Sequence, residues 1–136
     1  METLGLPIFQ KSYDLFKTFY SYRDHVAKQD RYTLWQRCEN LVLDLIQSII
    51  LASQQEGEEK IATLNQASVQ LNMLRILLRL AKDLRVIDPK KYVILEGQID
   101  EVGRMLGGWL RATKSLSPSS GSAPHWFVSV VAKIER

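Results

Sequence analysis

The sequence predicts an all-α protein, an up-down-up-down four-helix bundle with a flexible C-terminal tail, and three observations support this. Apolar residues recur at steps of three and four along four segments. Short polar or proline-containing stretches separate those segments. The 136 residues fit one such core rather than two. We expect the bundle at residues 1–114, a Ser/Pro/Gly-rich linker at 115–124 and an apolar docking segment at 125–136.

Composition narrows the protein class. The hydrophobic fraction of 46% and the charged fraction of 24% argue against disorder. Cys38 is the only cysteine, so no intramolecular disulfide can form, which fits a reducing compartment. The first ten residues lack the pattern of a signal peptide, and runs such as Ile49–Ala52 are far shorter than a membrane span. We therefore expect a cytoplasmic protein with no membrane contact.

The first segment runs from about Pro7 to His25. Pro7 suits the first helical turn, where its missing N–H removes no hydrogen bond. The polar stretch Ala27–Asp30 is expected to be a connection. Steps of four, three, four and three place several large side chains on one helical face: Phe9, Tyr13, Phe16, Tyr20 and Arg23.

The second and third segments have the spacing of helices in a bundle core. The second spans about Tyr32 to Gln54 and ends at the polar run Gln55–Glu59. Its predicted inner face consists of Leu34, Cys38, Leu41, Leu45, Ser48 and Ala52. The third segment spans about Lys60 to Leu84. Its predicted inner face consists of Ile61, Leu64, Leu71, Leu74, Leu78 and Ala81.

The fourth segment has the clearest start signal. Asp88 is a good N-cap and Pro89 a good first helical residue, and the pattern continues to about Thr113. Its predicted inner face consists of Tyr92, Leu95, Ile99, Val102, Leu106 and Trp109. Three glycines each weaken this helix by roughly 0.5–1 kcal/mol relative to alanine: Gly103, Gly107 and Gly108. Either another helix approaches them closely, or they are tolerated near a helix end.

The tail beyond the linker is apolar. Trp126, Phe127 and Val131 fit either a short strand or one to two helical turns. We expect this segment to dock on its own bundle or on a partner.

Two segments carry more apolar surface than one bundle core buries. On a helical wheel, the apolar residues of the third segment cover an arc of about 220°, whereas a monomeric bundle helix needs somewhat more than about 100°. The arc contains Leu71, Met73, Leu74, Ile76, Leu77, Leu78, Leu80, Ala81 and Leu84. The second segment adds Trp35, Val42, Leu43, Ile46, Ile49 and Ile50. This surplus predicts a homo-oligomer, with coverage by the tail as the alternative.

Positive charge is concentrated in the second half of the chain. Residues 1–58 have six Lys/Arg and eight Asp/Glu, a net charge of −2, and residues 59–136 have twelve and seven, a net charge of +5. Four basic residues of the third segment fall within about 120° of each other on the wheel. With three from the fourth segment they form the predicted nucleic-acid and partner site: Arg75, Arg79, Lys82, Arg85, Arg104, Arg111 and Lys114. Arginine suits phosphate because its planar fork stays charged and donates paired hydrogen bonds.

The alternative for this basic site is a solvated face with local ion pairs, such as Asp100 or Glu101 with Arg104. The sequence contains no zinc-finger spacing, helix-turn-helix or aromatic RNA-binding strand, so any binding is expected to depend on phosphate contacts and salt.

The sequence contains no pattern of a catalytic site. His25 and His125 are isolated, and no Cys/His pair has metal-ligand spacing. Cys38 lies on the predicted apolar seam, which favours a core role. No phosphate-binding loop or nucleophile elbow occurs. We therefore expect no enzyme activity, no cofactor, no metal and no small-molecule substrate.

Three strings resemble the Avd family, the accessory proteins of diversity-generating retroelements, within a wider four-helix group that includes proteins encoded by intervening sequences of ribosomal RNA genes. Leu74–Leu84 resembles the third helix of Avd, Glu101–Leu110 its fourth-helix signature, and Asp30–Leu34 the start of its second helix. The likeness covers about residues 10–113, and the fourth-helix string is its most specific part. Trp35 stands where the family pattern suggests a small residue, and the tail after Lys114 has no clear counterpart.

The resemblance implies a homopentameric barrel with a basic surface. It also implies that this barrel binds the reverse transcriptase and structured RNA of the retroelement and assists synthesis of mutagenised cDNA. By the same likeness, Arg75 and Arg79 match basic third-helix positions of the family, and Arg104 matches the arginine of the fourth-helix signature.

Two other functions are compatible with the sequence. A ribosomal-RNA-associated bundle would share the fold but not the polymerase partner. A homo-oligomeric protein-interaction scaffold would not bind nucleic acid at all. A reverse-transcriptase gene with paired template and variable repeats nearby favours the first function, and a binding assay at low salt distinguishes the scaffold.

Overall fold

In a computed structural model, residues 6–116 are described, and all regular structure within that range is helical. Four long helices form, so the predicted four-helix fold is confirmed. The predicted apolar docking segment at 125–136, and the linker beyond Leu116, lie outside the described residues.

The four helices begin and end close to the predicted boundaries. Helix α1 is Pro7–Tyr22 and continues as a 3-10 turn, Arg23–His25. Helix α2 consists of an α-helical turn, a π-helical turn and a long α-helical part, which are Lys28–Asp30, Arg31–Trp35 and Gln36–Ser53. Helix α3 is Gly57–Asp83 and helix α4 is Pro89–Leu116. The predicted connection at Ala27–Asp30 is therefore too long, because helical structure begins at Lys28, and α4 extends two residues into the predicted linker.

Contacts between side chains show that neighbouring helices are antiparallel. Residue numbers rise along one helix as they fall along its neighbour. Between α1 and α4, Lys11 contacts Glu101 and Tyr22 contacts Lys91. Between α2 and α3, Ser48 contacts Gln70, and Gln55, just after α2, contacts Thr63. Between α3 and α4, Lys60 contacts Trp109 and Lys82 contacts Tyr92. Helix α1 also packs on α2, which closes an up-down-up-down bundle.

The core consists mainly of the predicted inner faces. Those of α2 and α3 are buried apart from Leu34, which is half-buried. Helix α1 differs, because the face that points inward carries Ile8, Ser12, Leu15 and Phe19. The aromatic face of α1 that was predicted from residue spacing lies beside this inner face and is partly exposed. Tyr13 is 49% accessible and Tyr20 is 61% accessible.

Trp35 is fully buried at the corner between α1 and α2. Its indole Nε1–H donates to the Phe19 carbonyl at 2.9 Å, and the two rings lie 5.1 Å apart. The Arg23 N–H donates to the Tyr20 carbonyl, three residues earlier, which leaves the Phe19 carbonyl for the indole. The π-helical turn that contains Trp35 changes the local side-chain register. Trp35 therefore fits because the helix around it departs from α geometry.

The connection between α3 and α4 is short and locally determined. Just after α3 ends, Arg85 lies in the left-handed region, at φ 59°, and the Val86 N–H donates back to the Ala81 carbonyl at 2.7 Å. Helix α4 then starts as predicted, with the Lys91 N–H donating to Asp88 Oδ1 at 2.9 Å. The same connection brings the basic residues of α3 next to those at the start of α4.

Candidate nucleic-acid interface

Arg75 differs from the other predicted site residues, because its side chain points into the bundle and is only 18% accessible. Its Nη1 forms an ion pair with Asp100 of α4. The Asp100 side chain is 44% accessible, so the pair lies at the edge of the helix interface. Arg75 therefore joins α3 to α4, and its Nη1 is already engaged by a carboxylate.

Gly103 makes room for this arginine. A Cβ built on Gly103 would lie 2.6 Å from Arg75 Nη2 and 3.4 Å from Leu71 Cδ2. Of the two explanations for the glycines of the fourth segment, close approach of another helix therefore fits Gly103. A Cβ on Gly108 would meet only Arg111 Nη2, at 3.9 Å, so the explanation by tolerance fits that residue.

A cavity of about 260 Å³ lies between α3 and α4 beside Arg75. We call it the α3–α4 cavity. Its polar lining consists of Asn72, Arg75, Arg79, Tyr92 and Glu96, and its apolar lining of Ile76, Leu78 and Ile99. The Tyr92 hydroxyl donates to Glu96 Oε2 at 2.7 Å, and this bond, with burial, raises the pKa of Tyr92 to about 12. Tyr92 is therefore neutral at physiological pH.

A second, wider cavity of about 530 Å³ lies at the end of the bundle, where α3 turns into α4. We call it the end cavity. Its polar lining consists of His25, Lys82, Arg85, Asp88 and Lys91. Lys82 Nζ lies 4.7 Å from the centroid of the Tyr92 ring, so Tyr92 connects the two cavities. Hydrogen bonds from the Lys91 side chain and backbone lower the pKa of Asp88, which stays ionised.

The predicted site residues of α4 lie further along the same helix pair. Arg104 and Arg111 are exposed and Lys114 is half-buried. The alternative ion pair of Arg104 with Asp100 or Glu101 does not form, since Asp100 pairs with Arg75 and Glu101 with Lys11 at 3.4 Å. Within residues 6–116, no ion pair engages the six remaining members of the predicted site: Arg79, Lys82, Arg85, Arg104, Arg111 and Lys114.

Helix α3 also presents an exposed apolar surface. Five residues at steps of four, three, four and four follow one face, and each is between 38% and 61% accessible. They are Val69, Met73, Ile76, Leu80 and Leu84, which we call the α3 stripe. On a helical wheel the stripe is opposite the buried residues of α3. The wide apolar arc predicted from the sequence is thus divided between the core and this outer face.

Two arginines, Arg23 and Arg31, stabilise the α1–α2 corner through contacts that the sequence did not predict. Arg23 donates to Glu39 at 3.0 Å. Arg31 donates to the Val26 carbonyl at 2.9 Å and to the Asp24 carbonyl at 3.2 Å. Both arginines thus stabilise the turn between α1 and α2, and neither is free for a ligand.

The described residues offer little for catalysis. Cys38 is fully buried, and burial raises the pKa of its thiol to about 12. Residues 6–116 contain no group of three His, Cys, Asp or Glu side chains placed to hold a metal ion. His25 is exposed at the end cavity, and His125 lies outside the described range. None of the described helices is long and apolar enough to cross a membrane.

Comparison with known families agrees with this architecture. A family model described as bAvd-like matches residues 6–113, which covers α1 to α3 and all but the last three residues of α4. The chain belongs to the bAvd-like family. No curated protein matches the chain.

The strings that resemble Avd occupy structural positions in this bAvd-like protein. Arg75 belongs to the third-helix string, and it lies against Gly103 of the fourth-helix string and pairs with Asp100, the residue just before that string. The second-helix string contains Arg31, which stabilises the α1–α2 turn. The sequence carries no sign that Arg75 packs inward, because Asp100 and Gly103 meet it only through the packing of α4 on α3.

Proposed function

We propose that this bAvd-like protein is a non-catalytic accessory subunit of a diversity-generating retroelement. It acts in the cytoplasm, where it binds the reverse transcriptase of the element together with its structured RNA and cDNA, and so supports mutagenic cDNA synthesis. Family membership over residues 6–113 supports this function over that of a ribosomal-RNA-associated bundle.

The observation that carries the nucleic-acid part is the set of unpaired cations on α3 and α4. Arg79, Arg85, Arg104 and Arg111 are exposed and engaged in no ion pair among the described residues. An arginine without an acidic partner keeps its full charge and its hydrogen-bond donors for phosphate. This arrangement favours binding to nucleic acid over the solvated face of a plain scaffold.

We further propose that the chain assembles into a homopentamer through its exposed apolar surfaces. The α3 stripe is a row of five large side chains, and monomeric proteins rarely leave such rows in water. Repetition of the basic residues around a ring increases the local positive field, which favours a polyanionic partner.

A salt-titrated binding assay with RNA and DNA tests this function. In a triple variant, Arg79→Ala, Arg104→Ala and Arg111→Ala, we expect weaker binding to all sequences, with the slope of log affinity against log salt reduced by roughly 0.7–0.9 per lost phosphate contact. Arg37→Ala is the matched control, because Arg37 is exposed on α2, outside the proposed site. Absence of binding at low salt would support the scaffold function instead.

The polymerase part needs a separate experiment. The reverse transcriptase encoded beside this gene should co-purify with the chain, and paired template and variable repeats should lie in the same neighbourhood. A gene neighbourhood without a reverse transcriptase, combined with RNA binding, would favour the ribosomal-RNA-associated function.

A further inference from the structure

Two buried polar atoms beside the α3–α4 cavity have no hydrogen-bond partner among residues 6–116. One is Asn72 Oδ1, whose residue is 6% accessible and which accepts no hydrogen bond within that range. The other is Arg75 Nε–H, which finds no acceptor there, although Nη1 of the same side chain pairs with Asp100. Both residues line the cavity. Buried polar groups are nearly always hydrogen-bonded, because an unmade bond is costly, so this pair of atoms points to a ligand.

The two atoms have complementary chemistry. Asn72 Oδ1 requires a donor and Arg75 Nε–H requires an acceptor, and residues three apart share one helical face. Every nucleobase carries a donor and an acceptor side by side on its pairing edge. Ile76 gives the cavity an apolar wall, and Tyr92 provides a neutral aromatic side chain. The volume, about 260 Å³, is near the lower end of small-ligand sites.

Cations continue from this cavity toward the end of the bundle. Arg79 lines the α3–α4 cavity, Lys82 lies over Tyr92, and both Lys82 and Arg85 line the end cavity. From Asn72 to the end of α3 at Asp83 the helix rises by about 16 Å, which is enough for a few nucleotides of extended strand. Position 85 carries a cationic arginine at the end cavity, although its backbone φ of 59° favours glycine.

We propose that the α3–α4 cavity receives one unpaired nucleobase of a single-stranded RNA or DNA, with the adjacent phosphates on Arg79, Lys82 and Arg85. The proposal rests on the nucleic-acid binding proposed above and adds that single strands are preferred. A base inside a duplex cannot reach the cavity without being unpaired and unstacked, whereas a single strand presents its bases freely.

The test compares three labelled probes by fluorescence anisotropy on the full-length assembly. They are an oligothymidylate of roughly eight nucleotides, the corresponding oligouridylate, and an oligodeoxynucleotide of equal length that is abasic at every position. A blunt duplex serves as competitor. The wild-type protein should bind both base-bearing strands about tenfold more tightly than the abasic strand, and the duplex should compete poorly with them.

Asn72→Leu removes the unpartnered acceptor and keeps the number and branching of the side-chain heavy atoms. We expect this variant to bind base-bearing strands about five- to tenfold more weakly, with unchanged affinity for the abasic strand. Ser68→Ala is the control, because Ser68 Oγ is also buried and unpartnered but does not line the cavity. A thermal melt should show that both variants stay folded.

Equal affinity of the wild-type protein for abasic and base-bearing strands would overturn the nucleobase site while leaving the proposed function intact. The same holds if Asn72→Leu weakens binding of all probes equally. If no probe or duplex binds at low salt, the proposed function fails as well.

Discussion

At the scale of single residues, the buried carboxylate of Glu39 depends on Arg23. The Glu39 side chain is 5% accessible, and Arg23 Nη1 lies 3.0 Å from its Oε1. Glu39 Oε2 has no hydrogen-bond partner in the described part of the chain. Burial raises the pKa of Glu39, and the nearby Arg23 only partly opposes that shift. Ionising Glu39 in the folded protein therefore costs free energy, although its ion pair with Arg23 fixes the α1–α2 corner.

Arg23→Met should destabilise the fold by about 3 kcal/mol, because it leaves the buried Glu39 charge without a partner. Glu39→Gln should change the free energy of unfolding by less than about 1 kcal/mol, since the amide still accepts from Arg23. Urea unfolding at pH 7 measures both. The double variant should recover most of the loss caused by Arg23→Met, and a double variant as unstable as Arg23→Met alone would contradict this account.

The raised pKa of Glu39 also predicts a pH dependence. The folded protein binds the Glu39 proton more tightly than the unfolded chain, whose ordinary pKa is 4.5. Stability from this group is therefore greatest below pH 4.5 and is lost as pH rises through the higher folded pKa. Wild-type stability minus that of Glu39→Gln should fall across this window. A flat difference between pH 4 and 7 would exclude the shift.

At the scale of the helices, one glycine lies against a side chain of the neighbouring helix and another does not. Gly103→Ala would place its Cβ 2.6 Å from Arg75 Nη2, so the end of the arginine side chain must shift beside Asp100. We expect this shift to offset the helix-propensity gain of alanine, so that the free energy of unfolding changes by less than about 0.5 kcal/mol. Gly97 is the control, because a Cβ there meets no atom of residues 6–116 within 4 Å.

Gly97→Ala should stabilise the protein by roughly 0.5–1 kcal/mol through helix propensity alone. Chemical denaturation of the two variants in parallel gives the comparison. Similar stabilisation by both substitutions would mean that α3 and α4 do not approach closely at Gly103.

Arg85, just after the end of α3, affects both the stability of the fold and the proposed binding of nucleic acid. Arg85 has a φ of 59°, a conformation that is strained for a side chain with Cβ and natural for glycine. Arg85→Gly should therefore stabilise the fold by up to about 1 kcal/mol while it weakens nucleic-acid binding. A melt and a low-salt binding assay measure the two effects. Unchanged binding would remove Arg85 from the site.

The sequence predicted the helices well because periodicity and capping are local. Asp88 and Pro89 identified the start of α4 correctly, and the α3 inner face is buried as expected. The start of α2 was misplaced because a π-helical turn, which brings Trp35 into the core, has no simple spacing signal. Arg75 looked like its basic neighbours on a helical wheel. Only the tertiary position of Asp100 and Gly103 reveals its inward role.

At the scale of the whole molecule, two surfaces of α3 meet at the α3–α4 cavity. Ile76 belongs to the α3 stripe and also lines that cavity, next to Arg79. If the stripe is covered by another copy of the chain, the cavity lies at the edge of the subunit interface. The proposed assembly and the proposed nucleic-acid site are therefore neighbours, so variants that test assembly should avoid the cavity lining.

Met73 and Leu80 meet that condition, because they belong to the stripe but do not line the cavity. A Met73→Glu, Leu80→Glu double variant places two charges on a surface that the assembly would desolvate, so light scattering should show dissociation into smaller species while circular dichroism stays helical. Val93→Glu is the control, since Val93 is 62% accessible on α4 and outside the stripe. Dissociation should also weaken nucleic-acid binding, because each separate subunit retains only its own cations. A wild-type protein that is monomeric at working concentration, or an assembly that Val93→Glu disrupts and the double variant does not, would exclude the stripe as the interface.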